Sequence, residues 1–137
     1  MPTLCGVGCE EDWASHFLEH EISAIYDVTH GAGLSVVVPA WMTFAAEHHP
    51  KKVAQFASRI FGIPESEDLE EMALAGVARL KHFFRYLGLP VNFKELGIEH
   101  PDIDRLAENL HRNKGEFVGN YVKLTKENSK EIYRLAL

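Results

Sequence analysis

The chain is poor in cysteine: its only two, Cys5 and Cys9, stand four residues apart. With no second pair they make neither a structural zinc pattern nor a disulfide framework, and both read as structural or incidental. The N-terminus lacks a basic start followed by a long apolar core, so it does not read as a signal peptide. Long apolar runs are missing too. The longest, residues 36–41, is broken by Pro39 and falls far short of the roughly 20 residues that span a bilayer. These absences predict a cytoplasmic protein that does not enter a membrane. Basic stretches are also scarce. Lys and Arg number 14 against 20 Asp and Glu, the net charge is −6, and no segment sets cations among aromatics, which excludes a nucleic-acid surface.

What is present is helical pattern over a single cored domain, residues 1–137, with 46 % hydrophobic residues. Asp12 is a good N-cap for a first helix whose packed face would comprise Trp13, Ala14, Phe17, Ile22, Ala24 and Ile25. Residues 27–33, with Thr, His and two Gly, read as a connection. Residues 34–47 are apolar almost all round and belong in the centre of a bundle, with a kink or break at Pro39. Further helices are predicted from Pro50 to about Phe61, from Asp68 to Leu87 with Gly88 as C-cap, from Asp102 to about Asn113, and after Thr125. Strand signals are confined to residues 36–38 and 118–122, neither with a partner. The fold class is therefore all-α, a helical bundle of about six or seven helices joined by short loops.

His16 and His20 lie four apart, so they share a helix face, and His30 can be delivered to the same point from the following turn. Such a group can hold a divalent cation or handle a proton. His20-Glu21 invites comparison with the zinc-protease H-E-x-x-H, but the position four after His20 is Ala24, so that reading fails. The segment offers at most three imidazoles, and a further donor is expected from Asp12, Glu19, Asp27 or another polypeptide. From spacing alone, a metal site and a buried polar network are equal alternatives. His48, His49, His82, His100 and His111 read as locally satisfied residues. Trp13, Phe17, Val36, Val37, Trp41 and Phe44 read as ordinary core ahead of a substrate cleft. Lys114, Gly115 and Asn120 carry only a weak expectation of approaching the histidines.

The segments Asp12-Trp13-Ala14-Ser15-His16, His20-Glu21-Ile22-Ser23-Ala24, Tyr26-Asp27-Val28-Thr29-His30-Gly31-Ala32-Gly33-Leu34 and Val38-Pro39-Ala40-Trp41-Met42 closely resemble the iron-containing (group III, metal-dependent) alcohol dehydrogenases. The likeness is greatest to the NAD(P)H-dependent butanol dehydrogenases and aldehyde reductases. It continues through Leu87-Gly88-Leu89-Pro90 and on to Leu124-Thr125 and Ile132-Tyr133. The resemblance implies the C-terminal helical domain of such an enzyme, without the N-terminal nucleotide-binding domain. It implies that His16 and His30, fourteen apart, are two of four metal ligands, the Asp and the other His lying upstream. It implies that His20 is the non-ligating His beside nicotinamide and substrate, a catalytic and cofactor-contacting proton relay.

The cofactors implied are a divalent metal (Fe, Zn or Ni) and, in the full-length enzyme, NAD(P)H. Two imidazoles completed by water should bind metal loosely, and the domain alone is expected to be inactive. Two functional expectations follow. The chain is the metal-binding part of an alcohol/aldehyde oxidoreductase whose partner is the nucleotide-binding domain, or it is a stand-alone helical metal-binding or interaction module that self-associates through an exposed domain face.

Overall fold

Helical periodicity dictates nearly everything in the computed structural model, which describes residues 12–137. The cysteines, Cys5 and Cys9, lie outside the described residues. Among those described, six helices run in the order α1 (Ala14–Tyr26), α2 (His30–His48), α3 (Lys51–Phe61), α4 (Leu69–Tyr86), α5 (Ile103–Lys114) and α6 (Lys126–Leu135). The only extended pairing among them is one antiparallel bridge, Val118 with Leu124. The chain is all-α.

Start and stop chemistry explains the boundaries. Asp68 accepts from Glu71 N and Asp102 from Arg105 N, each filling an orphan donor of a first turn. Thr125 and Asn128 form a reciprocal capping box for α6. Gly88 lies one residue beyond the C-cap Leu87, at φ +79°, rather than being the cap itself. Its amide reaches Arg85 O at 2.9 Å and the Leu89 amide reaches Phe84 O at 2.9 Å, the left-handed stop that glycine adopts without steric cost.

The centre of the molecule is α2, which packs against α1, α3, α4 and α6. Pro39 does not break it: the helix is continuous from His30 to His48. Proline costs an amide donor, but contacts from four helices hold this segment in register, and Thr43 Oγ1 donates to Pro39 O at 2.8 Å. One cluster of buried side chains joins α1, α2, α5 and α6 through Leu18, Ile22, Val36, Phe44, Leu106 and Tyr133. A second joins α2, α3 and α4 through Met42, Val53, Met72 and Val77. Each large side chain buried this way contributes about 1.5–3 kcal/mol of transfer free energy.

The face of α1 differs from the sequence expectation. Ala14, Leu18 and Ile22 are buried together with Glu19 and Glu21, while Ala24 is exposed and Trp13, Phe17 and Ile25 are half-buried. Val36, Val37 and Phe44 are core, as expected. Asp12 is not the N-cap residue, which is Trp13, yet its carboxylate accepts from Ala14 N at 2.8 Å and from Tyr121 N at 2.7 Å. It thereby ties the start of α1 to the loop after α5. That loop and α2 bound a cleft of about 640 Å³ lined by Val38, Trp41, Met42 and Phe56 among others, and by none of His16, His20 or His30.

Candidate metal centre

Helix α1 presents His16 and His20 one turn apart. His30 comes from the first residue of α2, because α2 begins four residues earlier than its apolar run, and the connection shrinks to residues 27–29. Asp27 makes that reversal at φ 53°, its amide bonded to Ser23 O at 2.9 Å. The outcome is convergence. The ring centroid of His30 stands 5.5 Å from that of His16 and 5.3 Å from that of His20.

The environment differs from ring to ring. His16 lies edge-on to Trp13 at 4.9 Å, and its Nδ1 is buried with no hydrogen-bond partner. Burial, then the proximity of His30 and His20, lower its pKa below the ordinary 6.5, against an opposing pull from Glu19. The ring therefore stays uncharged at neutral pH and keeps a lone pair to donate. His20 is exposed, and its ring faces Phe17 at 6.3 Å. Lys114 Nζ sits over the same Phe17 ring, 4.3 Å from its centroid. Gly115 and Asn120 are engaged elsewhere: Gly115 O accepts from His111 Nδ1 at 2.9 Å and the Asn120 amide donates to Asp12.

Of the three carboxylates named from sequence, the fold brings only Glu19 to the histidines. Asp12 serves the loop contacts described above, and Asp27 is an exposed turn residue. Glu19 is 0 % exposed, with Oε1 against Ser23 Oγ and Oε2 against His30 Nδ1. Ligand atoms of Glu19, His20 and His30 all lie within 4.8 Å of one another. His16 is not in that close group of ligand atoms, but its ring stands beside His30 and its buried Nδ1 has no partner; imidazole and carboxylate donors so gathered suit a divalent transition cation. The residues fit the group.

The remaining histidines are locally satisfied where contacts exist. His48 donates to Phe44 O at 2.9 Å and stacks on the Phe44 ring, and His111 bridges Gly115 O and Ser129 Oγ.

Comparison with known proteins supplies the lineage. Residues 4–137 match the family model described as Fe-containing alcohol dehydrogenase family, C-terminal. The chain belongs to the iron-containing alcohol dehydrogenase family. Within that family it is 33 % identical over 135 residues to a probable NADH-dependent butanol dehydrogenase 1 of Bacillus subtilis, covering 98 % of this chain and 34 % of that protein. It is 31 % identical to the NADPH-dependent aldehyde reductase YqhD of Escherichia coli, covering 97 % and 34 %. The crystal structure of an NADH-dependent butanol dehydrogenase A from Thermotoga maritima superposes with a TM-score of 0.81 at 37 % identity, over 91 % of this chain and 33 % of that one. The substrate- and cofactor-free aldehyde reductase YqhD gives 0.85 at 30 % identity, over 95 % and 34 %. The chain spans about a third of the length of the curated relatives it matches. It is a C-terminal domain of this iron-containing dehydrogenase family, and no helix among its described residues is long and apolar enough to cross a membrane.

Proposed function

We propose that this domain is the metal-binding part of an NAD(P)H-dependent alcohol/aldehyde oxidoreductase, in which His16 and His30 hold a divalent ion and His20 handles the hydroxyl proton. The observation that carries the reading is that the His30 ring from α2 lies beside both His16 and His20 from α1, with His16 Nδ1 left without a partner. A divalent ion bound there supplies Lewis-acid polarisation of a carbonyl oxygen.

The chain's own residues have separable parts in this scheme. His16, uncharged because it is partly buried beside two other imidazoles, offers a lone pair without first losing a proton. His30 contributes from the first residue of the central helix. His20 is exposed, as is His30 beside it, so a ring nitrogen there can take or return a proton to bulk water. Phe17, which also carries Lys114 on its ring, flanks His20 on one side. The two missing ligands and the nicotinamide cradle come, in this proposal, from a separate nucleotide-binding domain.

Mixing the chain with the separately purified nucleotide-binding domain of the same enzyme, loaded with Fe²⁺ or Zn²⁺, tests it. Aldehyde-dependent oxidation of NAD(P)H is expected from the mixture and from neither part alone, and His20→Ala should lower the rate by roughly 10²–10⁴-fold. A folded, metal-loaded mixture without turnover sinks the proposal. The competing reading, a stand-alone module, requires instead a dimer of this chain with tight stoichiometric metal uptake, which solution mass and metal analysis would reveal.

A further inference from the structure

One buried group at the site has no part in the scheme above. Glu19 is fully enclosed between α1 and α2, and such a carboxylate is costly unless every oxygen finds a donor. Both do: Ser23 Oγ meets Oε1, and His30 Nδ1 meets Oε2. The room is provided by α2. A Cβ built on Gly33 would stand 2.3 Å from Glu19 Oε1 and 2.7 Å from its Cγ, so glycine at this position is what admits the carboxyl group. Ser23 Oγ also lies 3.0 Å from Val28 O in the α1–α2 connection, which holds the assembly at the turn.

We infer that Glu19 is a positioning residue for His30: by accepting from Nδ1 it fixes the tautomer and ring plane of that imidazole and leaves Nε2 with the lone pair. The inference rests on the proposed role of His30 as a ligand. A carboxylate is an acceptor, so the proton between it and the ring belongs on Nδ1, and the lone pair of a neutral ring must then be on Nε2. Outer carboxylates of this kind orient ligating histidines and raise their basicity, and their loss typically weakens metal binding about 10–100-fold. Both carboxylate oxygens of Glu19 are already engaged by side chains, which favours positioning over ligation.

The test uses the full chain labelled with ¹⁵N-histidine, free of metal, and then titrated with Zn²⁺ alone against a competing chelator. Long-range ¹H–¹⁵N spectra of the wild type should show His30 protonated on Nδ1, and Glu19→Gln should lose that single form. Zn²⁺ affinity should fall about 10–100-fold in Glu19→Gln, and in the same direction in Gly33→Ala, which displaces the carboxylate without removing it, while His30→Ala loses more. The inference is overturned if wild-type His30 is protonated on Nε2. It is equally overturned if Glu19→Gln keeps both spectrum and affinity, or if it abolishes binding as fully as His30→Ala, which would make Glu19 a ligand. A wild type that shows the Nδ1–H form yet takes up no Zn²⁺ would support the positioning and sink the proposed function.

Discussion

Tyr133 is the largest fully buried side chain, and its hydroxyl donates to Leu18 O at 2.7 Å, stitching α6 to the helix that bears His16 and His20. Burial, then Glu21 and Glu19, raise its phenol well above the ordinary value, so the donor stays protonated across the physiological range. Removing the hydroxyl alone, in Tyr133→Phe, should cost about 1 kcal/mol in urea denaturation, and truncation to Ala about 3–5 kcal/mol through the cavity left behind. Glu95 makes a pH-dependent counterpart. Its carboxyl lies below the ordinary 4.5 because it accepts from Val91 N and then from Arg85. A carboxyl depressed in the folded state adds stability above its unfolded pKa, and that share is lost as pH falls through the lower folded value. The Tm of the wild type should therefore drop more steeply than that of Glu95→Gln below about pH 4.5. At this scale the histidines were legible because spacing alone puts His16 and His20 on one face. Glu19 was legible only as one of three carboxylates, since its selection depends on the closeness of Gly33, a contact between helices that no local pattern records.

Between elements, α3 and α4 come into close contact at Gly76. A Cβ on Gly76 would stand 2.3 Å from Ala57 Cβ and 2.9 Å from Ala57 Cα, and backbone cannot yield as a side-chain tip can. Gly76→Ala should destabilise the domain by about 1–3 kcal/mol in denaturant titration, despite the better helix propensity of alanine. The helices from α3 onward could be read from their Asp, Thr, Gly and Pro punctuation, because caps and stops act locally. The stretch from Asp27 to Pro39 could not. His30, Gly31 and Gly33 resemble loop composition, and Pro39 resembles a break, but both tendencies are overridden by the packing of α2 against four neighbours. The inward face of α1 departs from its local pattern for the same reason: Leu18 and Glu19 are buried and Ala24 is exposed.

At the scale of the molecule, the site lies where two helices meet, on a domain that matches about a third of its longer relatives. A cation held by His16 and His30 alone is bound only in the folded state, so it must raise stability by linkage, about 2.7 kcal/mol at a free concentration 100 times its dissociation constant. Thermal unfolding with increasing Zn²⁺ should show a rising Tm that a chelator reverses and that His16→Ala and His30→Ala abolish. A flat response in the wild type would count against the centre. The family was legible in the sequence because the His16–His30 segment carries its pattern, whereas which groups close the coordination shell is decided in residues outside this domain under the proposed function.

His30 is the first residue of α2, the helix packed against four others, so its anchor lies in the core one turn further on. The buried amides from Gly33 to Ala46 should be among the slowest in the domain to exchange hydrogen with solvent. The lifetime of the native state therefore sets a ceiling on how long this half of the centre stays assembled.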